Sequence, residues 1–359
     1  MRFFGKRVSL CYAVVVCAAV LFCSCAGNAP EQLPSEEASE VLSVSEEQPD
    51  SSPADVQRVI KLGYSTEDSD PRAAASMEFK NIVEERSKGS LIVELYPEGQ
   101  LGADKELILG VINGTVDMTV SSAGNFASFA NVGISAFPFL FQDFEEAWEF
   151  MDSPLQAEMA EGLKAYNIHV LAYFDNGFRC ITTSETAGPI NSLEDMQGLN
   201  IRTSNNQIVM ETMSSLGAEP KVMDFTLLYD ALKDGSFEAQ ENPIPVIYNH
   251  KLYEVQKYLA VTNHSYDAMP FVIREDLWNS LTEENRQIID AAAKEVQKLN
   301  RELNREQTEE YVALLKDCGM TITYPDLEAF KESSKAVYDY FAPSYGEELM
   351  KQILDRDKK

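Results

Sequence analysis

The chain reads as an α/β protein with mainly parallel sheets, built as two lobes that one long helix bridges. Three observations predict this. From Val56 onward, strand-like and helix-like segments alternate, the pattern of strands joined by helical crossovers. Residues 282–317 contain neither Gly nor Pro and carry apolar residues at helical spacing, so they form one helix of about 54 Å at ~1.5 Å per residue, longer than a compact domain needs. The 359 residues are 45% hydrophobic, which suits one large or two medium domains with well-filled cores.

The elements follow in order. Val59 to Tyr64, VIKLGY, is a strand. Asp70-Pro71 then supplies an N-cap and a first-turn proline, so a helix runs to about Lys88 and stops at Gly89. Leu91 to Tyr96, LIVELY, is a second strand, Asp104–Asn113 a short helix and Val116–Ser121 a third strand. Helical signals cover 144–151 and 155–166, a strand follows at 168–174, and the alternation continues through 205–216, 226–234 and 258–262. In the long helix Thr282 caps, Glu283 and Glu284 face the positive end of the dipole, and Ile288, Ile289, Ala292, Val296, Leu299 and Leu303 form the apolar stripe.

The N-terminus is a targeting signal. Arg2, Lys6 and Arg7 precede an uncharged apolar stretch, Val8 to Ser24, and Ser24-Cys25 resembles a lipoprotein cleavage site. We expect signal peptide 1–24 to be removed and Cys25 lipidated. Residues 26–56 carry eight acids, no base and no aromatic residue; such a segment cannot bury enough surface to order itself and reads as a tether, 25–56, outside a membrane. The formal net charge of −28 excludes a nucleic-acid partner, whose phosphates require basic surface. Cys180 and Cys318 are the only cysteines of the globular part, and their separation fits neither a metal site nor a redox pair.

Catalytic motifs are missing. There is no phosphate loop, no GxSxG and no CxxC, and His169, His250 and His264 lack metal-ligand spacing. We expect no cofactor, no metal and no enzymatic activity, although a hydrolase that uses only carboxylates leaves no such motif.

Four stretches carry a family resemblance. Leu95 to Leu107 reads LYPEGQLGADKEL; Phe137 to Phe141 reads FPFLF, followed by Asp143; Asp175 to Arg179 reads DNGFR, followed by Thr182-Thr183-Ser184. The fourth joins Gly198-Leu199-Asn200-Ile201-Arg202 to Gln240-Glu241-Asn242-Pro243 and Tyr253-Glu254-Val255-Gln256-Lys257-Tyr258. In this order and spacing they resemble the TRAP-type (tripartite ATP-independent transporter) solute-binding family, DctP-like. The resemblance implies a two-lobed periplasmic-binding-protein fold of type II-like architecture that closes around its ligand, with the long helix spanning both lobes. It places one lobe at 57–176 with 268–307 and the other at 177–267 with 308–359. The implied ligand is a small organic acid and the implied partners are the membrane permease subunits of the transporter.

Carried over by motif, Arg202 is the central carboxylate anchor, Arg179 the second arginine, in a turn, and Asn242 the asparagine that holds an arginine while donating to the ligand. The chemistry stands without the family: a guanidinium offers a planar fork of donors to both oxygens of a carboxylate. Glu106 matches an acid that accepts from sugar hydroxyls, and Phe225 an aromatic that packs on the ligand. Ser65, Ser122 and Asn125 follow strand ends, where α/β clefts bind ligands.

There are departures. The family's VDGQENP is Phe237-Glu238-Ala239-Gln240-Glu241-Asn242-Pro243 here, so a turn glycine is lost. Family members that bind sialic acid have an acid and a base where Ser122 and Asn125 stand, which points away from that ligand. The DNGFR motif is similar to binders of uronic acids, so a uronic or other sugar acid is favoured and a C4-dicarboxylate comes next. A ligand-sensing co-receptor of the same fold and a carboxylate-based hydrolase are the competing readings.

Overall fold

In the computed structural model, residues 57–354 are described; the signal, the tether and Cys25 lie outside them. The strands are β1 (Arg58–Gly63), β2 (Leu91–Tyr96), β3 (Met118–Val120), β4 (Ile168–Thr183), β5 (Asn200–Thr203), β6 (Glu219–Val222), β7 (Ala239–Pro243), β8 (Tyr258–Arg274) and β9 (Thr321–Thr323). The helices are α1 (Pro71–Arg86), α2 (Asp104–Asn113), α3 (Phe144–Met151), α4 (Pro154–Glu161), α5 (Gln207–Ser215), α6 (Leu228–Lys233), α7 (Ile244–Asn249), α8 (Glu275–Ser280), α9 (Glu283–Asp317), α10 (Glu328–Tyr345) and α11 (Glu347–Leu354). The chain is α/β, as the alternation predicts. No helix among the described residues is long and apolar enough to cross a membrane.

One mixed sheet runs in the order β2-β1-β3-β8-β4-β7-β5-β6, with β9 beside β8. Among the described residues five of the eight strand pairs are parallel, as expected, but the centre of the sheet departs from that pattern. The outer pairs are parallel, but β4 lies antiparallel to both β8 and β7, and β3 antiparallel to β8. The two central strands are far longer than expected, 16 and 17 residues. The N-terminal half of β4 pairs with the end of β8 that borders β3, while its C-terminal half pairs with β7. Two long strands thus run from one group of shorter strands to the other.

The DNGFR motif is therefore not a turn. It lies inside β4, where the register slips between Asp175 and Gly177 opposite Ala268 and Asp267. Gly177 takes φ 106° there, a conformation that side chains disfavour. A Cβ at this position would also stand 2.7 Å from Asn304 Oδ1. The bulge frees backbone groups, and α9 satisfies them: Asn300 Oδ1 accepts from Asp175 N (2.6 Å), and Asn304 Nδ2 donates to the carbonyl of Asn176 (2.9 Å). Buried backbone groups without such partners would be costly.

Helix α9 begins as the capping residue requires, with Thr282 Oγ1 accepting from Asn285 N (3.2 Å). Ile289, Ala292, Ala293 and Val296 pack in the core formed by β1, β2 and α1. Further along the same helix Leu315 packs in a second core with Leu228, Ile247 and Leu259. Between them the helix buries Asn300, Arg301 and Asn304. One helix therefore serves two apolar cores and meets the bulge with its polar middle.

Candidate functional site

Strands β1 and β3 run from one side of the sheet and β5, in the opposite sense, from the other, and all three end at one place. Just beyond them stand Ser65 and Thr66, Ser122, and Ser204, all lining a cavity of about 40 Å³. The crossing of β4 and β8 adds Asn176, Arg179 and Asp267, and β7 adds Asn242. Short hydroxyl and amide side chains dominate the wall. Phe225 and Val246 are its apolar members. Wider spaces of about 490 and 240 Å³ adjoin it through Ser65 and Phe225.

Two of the predicted residues are arginines in this cavity, in opposite states. Arg179 is 3% exposed and saturated. Its Nε and Nη2 form a fork on the Glu241 carboxylate, Nη1 donates to Asp267 Oδ2 (2.6 Å), and Nη2 also reaches Asn242 Oδ1 (3.2 Å). Burial would lower the pKa of Arg179, but Glu241 and Asp267 outweigh it and raise it. Burial would likewise raise that of Glu241, yet Arg179 holds it down at about 2.

Arg202, 2% exposed, forms no salt bridge among the described residues. It projects from β5, and its Nε (2.9 Å) and Nη2 (2.6 Å) both donate to the Met223 carbonyl. That contact fixes the guanidinium plane and leaves the Nη1–Nη2 edge open. Burial pushes its pKa down to about 10, with Glu241 the leading opposing charge. A buried cation without a paired anion is unstable by itself. The arrangement is suited to receiving an anion.

The other predicted residues divide. Asn242 accepts from Arg179 and donates to Gln240 Oε1 (2.5 Å), so it is engaged within the protein. Ser65 donates to Asp104 Oδ1 (2.9 Å), Ser122 to Asp267 Oδ1 (2.5 Å), and Asn125 to Ser121 Oγ (2.9 Å), each on the cavity wall. Phe225 packs edge-on against His250, with ring centroids 4.7 Å apart. Glu106 is not brought to the site. It is exposed, because the buried face of α2 is set by Leu107, Ile108 and Val111, and it lines none of these spaces. Asp104, two positions earlier, lines the cavity in its place.

Sequence reasoning passed over Thr66, Arg72, Asp104, Asn176, Ser204 and Asp267. Arg72 and Asp104 sit in first turns of helices that follow strands, so the rule that ligands gather at strand ends reaches them too. Asp267 had no local signal, since only pairing across the bulge brings it to Arg179. Among the described residues no cluster could hold a metal ion, and Cys180 and Cys318 are unpaired.

Comparison with known proteins gives a consistent result. Residues 62–344 match bacterial extracellular solute-binding protein, family 7 (DctP). The 2,3-diketo-L-gulonate-binding periplasmic protein YiaO of Escherichia coli is 32% identical over 299 residues, 82% of this chain and 90% of that protein. The galactonate complex of the sugar acid binding protein DctPAm from Advenella mimigardefordensis superposes with TM-score 0.80 at 30% identity, covering 84% of this chain and 98% of that one. A TRAP periplasmic solute binding protein from Haemophilus influenzae, with bound L-gulonate, gives TM-score 0.77 at 29% identity, covering 83% and 99%. The two long crossing strands, the bridging helix and the match over residues 62–344 agree, and the chain belongs to the DctP family of TRAP solute-binding proteins.

Proposed function

We propose that this protein captures a small organic acid outside the cytoplasm, a uronic or other sugar acid first and a C4-dicarboxylate second, and delivers it to the membrane subunits of a TRAP transporter. The single observation that carries this is Arg202: a buried guanidinium held flat by the Met223 carbonyl, its outer edge free and without a carboxylate of its own. The ligand's carboxylate completes it. The hydroxyl and amide wall suits a polyol chain, and Phe225 supplies an apolar face. Relatives that bind diketogulonate, galactonate and gulonate support the sugar-acid reading.

Arg179 and Asn242 then act as positioning residues, holding Glu241 and Asp267 in place. The lobes are 57–176 with 268–307 and 177–267 with 308–359, hinged near the bulge at Gly177. Lipidation at Cys25 anchors the protein; mass spectrometry finding an unmodified mature N-terminus would refute the anchor. We read the chain as a receptor and not an enzyme, since the acids lining the cavity, Asp104 and Asp267, are tied to Ser65 and to Arg179 and Ser122.

Calorimetry with the best acid from a sugar-acid and dicarboxylate panel tests the reading. Arg202→Ala should weaken binding by about 30- to 5000-fold, the cost of losing one partner of a buried charged pair. Arg202→Lys should fall between, because a point donor cannot reproduce the fork. Binding by a folded Arg202→Ala protein within about threefold of wild type removes Arg202 as the anchor.

A further inference from the structure

A third guanidinium lines the same cavity. Arg72, in the first turn of α1, is 5% exposed. Its Nε is buried without a hydrogen-bond partner, and neither terminal nitrogen donates a hydrogen bond among the described residues. Its nearest carboxylate oxygen, Asp70 Oδ1, is 3.9 Å from Nε, beyond hydrogen-bond reach. That oxygen is already used as the helix cap, accepting from Arg72 N at 2.8 Å. Beside Arg72 on the wall, the hydroxyl of Thr66 is buried and unbonded as well. Of the three arginines lining the cavity, Arg179 alone is hydrogen-bonded to carboxylates.

From these contacts we infer that Arg72, with Thr66, is a second anchor of the cavity, and that the ligand is a small hydroxylated dicarboxylate whose far carboxylate Arg72 receives. The inference rests on the reading of Arg202 as the anchor of the first carboxylate. A desolvated guanidinium needs acceptors, and its planar fork fits two coplanar oxygens that bring no proton of their own. A hydroxyl offers one oxygen and a competing donor. A second carboxylate satisfies the fork and adds to the partial charge compensation that Asp70 gives at 3.9 Å.

The test uses acids matched in chain and stereochemistry but differing at one end: galactarate against galactonate, glucarate against gluconate, and meso-tartrate against erythronate. Titration calorimetry would be run on wild type, Arg72→Gln, Arg72→Lys and Arg202→Ala, each first shown to be folded by its melting transition. Wild type should prefer the diacid of the best pair by about thirtyfold or more. Arg72→Gln should erase that preference while leaving the monoacid within about threefold, and Arg72→Lys should keep part of it. Equal wild-type affinity for both members of the best pair overturns the inference, as does equal weakening of both acids by Arg72→Gln. If Arg202→Ala binds normally, or wild type binds no pair, the failure lies with the first anchor instead.

Discussion

Arg179 and Arg202 share one cavity, yet they should respond to mutation in different ways. Arg179 compensates two buried acids, Glu241 at 0% and Asp267 at 3% exposure. Arg179→Ala would leave both unpaired, which costs about 3–5 kcal/mol of stability. Chemical denaturation should show that loss without ligand present, whereas Arg202→Ala, which strands no anion, should melt near wild type or above it. The same pair sets an acid limit. Glu241 titrates at about 2 in the fold against an ordinary 4.5. Its depressed value means that it stabilises the protein above 4.5, and that this contribution drains away as pH falls toward 2. Melting curves between pH 5 and pH 2 should show a steeper loss for wild type than for Arg179→Ala, in which the partner that depresses Glu241 is gone. A parallel decline in the two proteins would remove the ion pair as the cause.

At the level of elements, β4 and α9 depend on each other. The slip in β4 leaves an unmatched backbone, and the buried face of α9 answers it with Asn300 and Asn304. Gly177→Ala would put a side chain at φ 106° and drive its Cβ against Asn304. We expect a loss of about 1–3 kcal/mol, since the residue is strained and its neighbour must move. Urea titration would measure it, and a Gly177→Ala protein as stable as wild type would mean that the bulge tolerates a side chain. Both sides of this junction escaped a local reading for the same reason. Asp-Asn-Gly has turn composition, and the asparagines interrupt the apolar stripe of a helix. Each is explained by the other, across more than 120 positions of sequence.

At the scale of the whole molecule, the central cavity is small. About 40 Å³ surrounds the two free guanidinium groups, against roughly 300–1,000 Å³ for typical ligand pockets. A six-carbon acid placed between them must also use the adjoining spaces of about 490 and 240 Å³ or move the walls apart, and the bulged pairing of β4 and β8 is a place where the sheet can flex. Small-angle scattering should show a larger radius of gyration without ligand and compaction on adding a bound acid. An unchanged curve at saturating ligand would rule out hinge closure for this protein.

The sequence by itself determined whatever is written locally. Strand β2, helix α2 and the 35-residue α9 with its Thr282 cap stand where alternation, capping and helical spacing predict them, because those signals depend on near neighbours along the chain. The motif order likewise disclosed the family. The tertiary structure decided which arginines are free. Glu241 and Asp267 lie 62 and 88 positions from Arg179 and claim it, while Arg202 meets no such acid and Arg72 only Asp70, at 3.9 Å and without a hydrogen bond to it. A guanidinium's availability depends on what folding brings within hydrogen-bond distance, and for Arg179 those groups come from β7 and β8, strands that no pattern around Arg179 could reveal.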